Sequence, residues 1–208
     1  MKAFSNLEVE KRQKIINAAF NEFTEKGYEL ASTNQIVKNA GIGKGMLFYY
    51  FTNKHELFLF LIEYAIEKTE KEFLNKLSDA PDLFERFKNV AIQKLAFLTQ
   101  YPNAMNFMAK VMINDAEQLD ETIKEKIRVL EQKTHQRLYS KIDTDLFREE
   151  IDSEKAIKII QWAFRGYEEE ITVRLQNENI DVRNLENYFA EFHEYVGVMK
   201  KAFYKGGH

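Results

Sequence analysis

The sequence predicts an all-α protein, and three observations carry that reading. Apolar residues recur at helical spacing along most of the 208 residues. Charged residues abound, with 30 Lys and Arg and 33 Asp and Glu, while only 8 Gly and 2 Pro punctuate the chain. The stretch 32–51, STNQIVKNAGIGKGMLFYYF, reads as two short helices joined by a tight Gly-containing turn. About nine helices are expected, in one or two domains with room for a sizeable core.

Composition excludes several classes. Cysteine is absent, so there is no disulfide or thiolate chemistry. No apolar run approaches the roughly 20 residues of a membrane span. The start, MKAFSNLEVEKRQK, lacks the apolar region of a signal peptide. A soluble cytoplasmic protein without a membrane partner is expected. His55, His135, His193 and His208 are far apart and show no metal-type spacing. No Ser/His/Asp arrangement or glycine-rich phosphate loop is evident. The expectation is therefore no enzyme, no metal and no cofactor. Over residues 1–60, eight Lys and Arg stand against six acids, although the whole chain carries −3. The N-terminal end is mildly basic and the remainder acidic.

The first helix is expected over about 7–26, burying Ile15, Ile16, Ala19, Phe20 and Phe23 and ended by Gly27. Residues before Leu7 are read as a mobile arm. Ser32 stands as N-cap of the next helix with Gln35 at the capping-box position, and Ile36 and Val37 face inward. Gly41 stops that helix in a left-handed conformation. A further helix runs from near Gly43 to about Tyr49, with Leu47 and Phe51 toward the core. Asn53 and Glu56 cap a long helix reaching about Leu77. Pro81 and Pro102 then punctuate helices over about 82–99 and 103–113. Helices over about 119–140, 153–177 and 181–204 complete the chain, with a loop at 141–152 carrying a helical turn near Leu146.

Two helices of this length about a Gly turn also fit an ordinary helical hairpin. The flanking residues favour more. The run AGIGKGMLFYYFTNKHEL, preceded by RQKIINAAFNEFTEKGYE, resembles the N-terminal domain of the TetR family of bacterial transcriptional repressors. The shared pattern is A-A-x-x-x-F, G-Y, I-V-x-x-A-G-I, K-G-x-L and Y-F-x-x-K, and it covers about the first sixty residues. The resemblance implies a DNA-binding domain at 1–52 and an effector-binding and dimerisation domain at 53–208. It implies a repressor that binds a palindromic operator in double-stranded DNA as a homodimer and is released by a small molecule.

Within that reading, the helix from Gly43 lies in the major groove. Ser32, Thr33 and Asn34 offer a helix N-terminus to phosphate. Lys44 suits a guanine edge or a phosphate. Gly43 and Gly45 let the backbone approach DNA, Met46 suits a thymine methyl, and Tyr49 and Tyr50 carry hydroxyls for phosphate. Lys54 resembles the family's phosphate-contacting lysine. Gly43, Met46 and Phe48 stand where the family commonly has Ser, Thr and Tyr, so contacts there do not carry over directly.

The last helix holds Leu185, Phe189, Phe192, Val196, Met199 and Phe203 at steps of 4 and 3, a strict seam. The helix before it is apolar over a wider arc that includes Ile160, Phe164, Tyr167 and Ile171. These ten residues are the expected dimer interface; the alternative is a single monomeric core. Tyr64, Phe87, Tyr101, Met105, Met108, Met112, Trp162 and Arg165 are candidates for an effector pocket, since methionine and aromatics line adaptable apolar sites. Plain core is the competing reading. A lipophilic effector fits first, and Glu168, Glu169 and Glu170 leave a cationic one open. Two rival functions stand beside this one: a DNA-binding regulator without a small-molecule effector, including an activator, and a helical protein-interaction module.

Overall fold

The computed structural model describes residues 2–178 and 186–206. Every regular element among them is helical: α1 (Lys2–Ser5), α2 (Val9–Leu30), α3 (Thr33–Ala40), α4 (Lys44–Tyr50), α5 (Lys54–Glu72), α6 (Leu83–Gln100), α7 (Pro102–Asn114), α8 (Glu121–Tyr139), α9 (Ser153–Glu178) and α10 (Glu186–Phe203). Short 3-10 turns follow α5, α7 and α8. Apart from the four-residue α1, these are the nine expected helices. The expected start of the last one, near Asp181, lies outside the described residues.

The chain packs as two compact units, each built from two segments. The first comprises residues 1–75 and 100–132. Ile15, Ile16, Ala19, Phe20 and Phe23 of α2 are buried together with Leu57, Phe58, Leu61 and Ile62 of α5 and Phe107 and Val111 of α7. The period read from the sequence is thus the buried face. Gly27 breaks α2 with φ 70 and ψ 173, a backbone that a residue with a Cβ adopts only under strain. The chain then regains one helical turn and ends at Leu30 rather than at the glycine.

The N-terminal arm departs from expectation. Phe4 is 2% exposed and meets Tyr50, Phe51 and Phe60 with ring centroids 5.3, 4.9 and 5.2 Å away. Arg12 donates to the Ser5 carbonyl at 2.8 Å. One aromatic side chain therefore anchors the segment that polar composition alone marks as loose.

The second unit comprises residues 76–99 and 133–208. Its core joins Leu83, Phe84 and Phe87 of α6 to Ala156, Ile160 and Phe164 of α9 and Val196 of α10. The Tyr204 hydroxyl accepts from the Leu83 N–H at 3.1 Å, and its ring lies 4.8 Å from those of Phe84 and Phe147. Arg86 is 2% exposed. Its guanidinium donates to the carbonyls of Asp79, Ala80, Arg137 and Ser140, so it fastens the 79–80 turn to the end of α8. These units describe packing, and the first extends past residue 52 to take in 53–75 and 100–132.

Candidate nucleic-acid interface

The interface begins with how α3 is stopped. Gly41 adopts φ 66 and ψ 37, and its N–H donates to the Lys38 carbonyl while the Ile42 N–H donates to that of Val37. Ile42 then tucks against the core. Gly43 turns the chain into α4, and Leu47 and Phe51 are each 1% exposed. Two helices and a glycine turn on a shared core form a helix-turn-helix.

Fixing Leu47 inward leaves the rest of α4 outward. Lys44, Gly45 and Tyr49 are exposed, with Tyr49 at 74%. Phe48 is partly exposed, and the Lys44 ammonium lies 5.9 Å from its ring centroid. A Cβ at Gly43 or Gly45 would meet no atom of the protein within 4 Å. Internal packing therefore does not demand glycine at either position. Met46 and Tyr50 are half-buried; Tyr50 is edge-on to Tyr49 and to Phe4. The structure thus brings Gly43, Lys44, Gly45, Phe48 and Tyr49 onto one outward surface, with Met46 and Tyr50 at its margin.

Ser32, Thr33 and Asn34 stand at the start of α3, but the expected capping box is not formed. Ser32 makes no side-chain cap; its N–H donates to Glu22 Oε1 at 2.9 Å, and Gln35 bonds Asn39 instead. Glu22, 6% exposed, is a buried carboxylate that the sequence does not reveal as one. A groove of about 600 Å³ beside it is bordered by Ser32, Asn34, Lys38 and the acids Glu22 and Glu25. Lys26 also borders it, so two lysines stand against the two acids there.

Lys54 requires a correction. Its ammonium donates to the carbonyls of Tyr28, Glu29 and Ala31 at 2.7, 3.0 and 3.4 Å and lies over the Tyr28 ring. An ammonium has three donors. All three are turned inward, so the expected phosphate contact has no free proton. The Asn53–Glu56 cap does form: Asn53 accepts from the Glu56 N–H at 2.8 Å, and Glu56 accepts from the Thr52 N–H. That last bond holds the Glu56 carboxyl below its ordinary range. The Tyr28 N–H donates to Asp115 at 3.2 Å. Residues 28–32 are therefore gripped by Glu22, Lys54 and Asp115. Asp115 carries no periodic or motif signal that singles it out.

The candidate effector residues divide. Tyr64, Tyr101 and Met108 pack on the core of the first unit, Met105 is half-buried and Met112 is 46% exposed. Phe87 is core of the second unit, its ring centroid 3.9 Å from that of Phe164. Trp162 is 63% exposed and Arg165 is an exposed partner of Glu169, so neither lines an enclosed space.

The expected dimer seam is also redirected. Ile160 and Val196 are fully buried and Phe164 is 4% exposed within one protomer. Phe192, Met199 and Phe203 pack on the same core, and Tyr167 donates to the Tyr188 carbonyl at 3.0 Å. Phe189 and Ile171 are half-buried, and Leu185 lies outside the described residues. In α10, Phe192, Val196, Met199 and Phe203 of the strict period turn toward their own unit. The open apolar face is the adjoining one: Ile159, Trp162 and Val173 of α9 with Tyr195 and Val198 of α10, all at least 47% exposed.

Among the described residues no helix is long and apolar enough to cross a membrane, and no group of three or more His, Asp or Glu is placed to hold a metal.

Comparison with known proteins bears on this interface. Residues 15–61 match the family described as bacterial regulatory proteins, tetR family. The HTH-type transcriptional regulator YuxN of Bacillus subtilis is 38% identical over 66 residues, which are 32% of this chain and 23% of YuxN. YhgD of the same organism, also named an HTH-type transcriptional regulator, is 24% identical over 137 residues, 66% of this chain and 70% of its own. The chain thus spans less than a quarter of the first relative and more than two thirds of the second. Over the whole fold, a TetR family transcriptional regulator from Chloroflexus aurantiacus superposes with TM-score 0.63 at 19% identity, covering 99% of this chain and 98% of that one. The regulator PfmR from Thermus thermophilus gives TM-score 0.63 at 18% identity, with coverages of 89% and 94%.

Proposed function

We propose that this chain, which belongs to the TetR family of bacterial regulatory proteins, represses transcription by binding a palindromic operator as a homodimer and leaves it when a small lipophilic effector binds. Residues 1–52 are the reader, and the helices from 53 onward carry effector binding and dimerisation. The observation that carries the reading is the outward surface of α4. Lys44 and Tyr49 project from a helix whose other side is locked by Leu47, and Gly43 and Gly45 leave its first turn bare. A bare first turn admits a phosphate backbone or base edge closely, Lys44 supplies charge, and Tyr49 supplies a hydroxyl donor. Side-chain packing demands a glycine at neither position.

Two copies are needed to read two half-sites about one two-fold axis. The open apolar face of α9 and α10 supports that pairing, with Trp162 and Val198 its most exposed members. The effector acts by binding better to the state in which the readers no longer match the operator. The protein works in the cytoplasm, on DNA.

Fluorescence anisotropy with a labelled random duplex across a salt series tests the electrostatic part. Affinity that falls steeply as salt rises is expected, and Lys44→Ala, which removes one contact from each of two copies, lowers the slope of log K against log salt by about 1.8. Binding that ignores salt, or that Lys44→Ala leaves intact, contradicts the reading.

A further inference from the structure

Within the first unit, α7 carries two apolar stripes side by side. Ala104, Phe107 and Val111 form the buried one. Tyr101, Met105, Met108 and Met112 form the other, at steps of 4, 3 and 4. This second stripe is only partly covered: Tyr101, Met105 and Met108 are half-buried and Met112 is 46% exposed. It extends roughly 16 Å along the helix at 1.5 Å per residue. Thioether side chains are unbranched and refit around a guest, so three on one half-open stripe make an adaptable apolar surface.

Lys68 of α5 stands at the Tyr101 end. Its Nζ lies 5.3 Å from the Tyr101 ring centroid and 5.6 Å from that of Tyr64. Tyrosine faces attract an ammonium and replace part of its hydration. Among the described residues no carboxylate or other hydrogen-bond acceptor reaches this ammonium, although nearby Lys71 is paired with Glu67 and Lys126 with Glu63. A half-buried cation without an acid partner at the end of an apolar stripe is complementary to an anionic head on an apolar chain. The Tyr64 hydroxyl in turn donates to Gln13 of α2 at 3.4 Å, which joins this place to the helix that packs on α3.

We propose that Lys68, held over Tyr64 and Tyr101 at the head of the α7 methionine stripe, is the anion-recognising group of the effector site, and that the effector is an amphiphile with one anionic head and an unbranched apolar tail. The proposal rests on the effector-controlled reading above, and its test separates the two. The full chain is titrated calorimetrically, without DNA, with decanoate, decyltrimethylammonium and decanol, each below its aggregation concentration. Decanoate binds tightest of the three. Lys68→Gln weakens decanoate about tenfold or more and leaves decanol unchanged, Lys68→Arg keeps the preference, and Lys71→Gln has no effect. Decanoate binding that is absent, that survives Lys68→Gln, or that is weaker than the cation's overturns the proposal. Release of bound duplex by decanoate is then measured separately. Binding through Lys68 without release supports this site and overturns the effector reading.

Discussion

Lys54 and Tyr28 are joined twice: the ammonium donates to the Tyr28 carbonyl at 2.7 Å and lies 4.7 Å from the centroid of its ring. Because the same ammonium also takes the Glu29 carbonyl, it closes the end of α2 immediately before the reader helices. Lys54→Met therefore destabilises the protein by about 1–3 kcal/mol, the scale of hydrogen bonds to a charged group. Duplex affinity falls with it, but the salt slope stays unchanged. A slope lowered by about 1.8, one contact in each of two copies, marks a phosphate contact instead. Urea unfolding and a salt series on the variant decide between them.

Phe4 supports the other end of the reader. Phe4→Ala empties a site that is 2% exposed and contacts three rings. A loss of about 3–5 kcal/mol is expected. Phe4→Leu, which refills much of the volume, recovers most of it and restores duplex binding in parallel. Stability unchanged by Phe4→Ala contradicts the anchored arm.

Much of this arrangement is legible in the sequence, and the gaps have physical causes. The α2 stripe, the Gly41 stop and the Asn53–Glu56 cap depend on neighbours within a few residues, so spacing reveals them. The grips on residues 28–32 do not: Asp115 is 87 residues from its partner Tyr28, and nothing local marks it. Ser32 and Gln35 have capping-box spacing, yet Glu22 competes for the Ser32 N–H and wins. In α10 the 4,3 period identifies an apolar face without saying which chain covers it. Val196 turns inward and Val198, two residues on, outward.

That distinction is testable. Val198→Glu and Trp162→Glu place a charge on the open face of α10 and α9, and each weakens self-association by roughly tenfold or more, as for a central interface residue. Val9→Glu, at a site 70% exposed on α2, leaves it unchanged. Sedimentation across a concentration series reads the result.

Asp82 gives the acid side of the stability profile. Burial pushes its carboxyl up, but the Lys200 ammonium at 2.8 Å and the N–H groups of Glu85 and Phe84 outweigh that and hold it below its ordinary value. An acid whose folded pKa is depressed contributes stability above its unfolded pKa and loses it as pH falls through the folded one. Asp82→Asn is therefore less stable than the parent at pH 7, and the gap closes toward pH 3 and below. Urea midpoints at the two pH values check this; a gap that widens in acid contradicts it.

The central claim is that two copies of α4 read a symmetric site. Selection of bound duplexes from random DNA with the purified chain, at near-physiological salt, tests it most directly. The account predicts a two-fold symmetric motif whose half-sites are spaced by one helical turn or a multiple of it, lost on Lys44→Ala. Enrichment of no motif, or of a single asymmetric half-site, contradicts it.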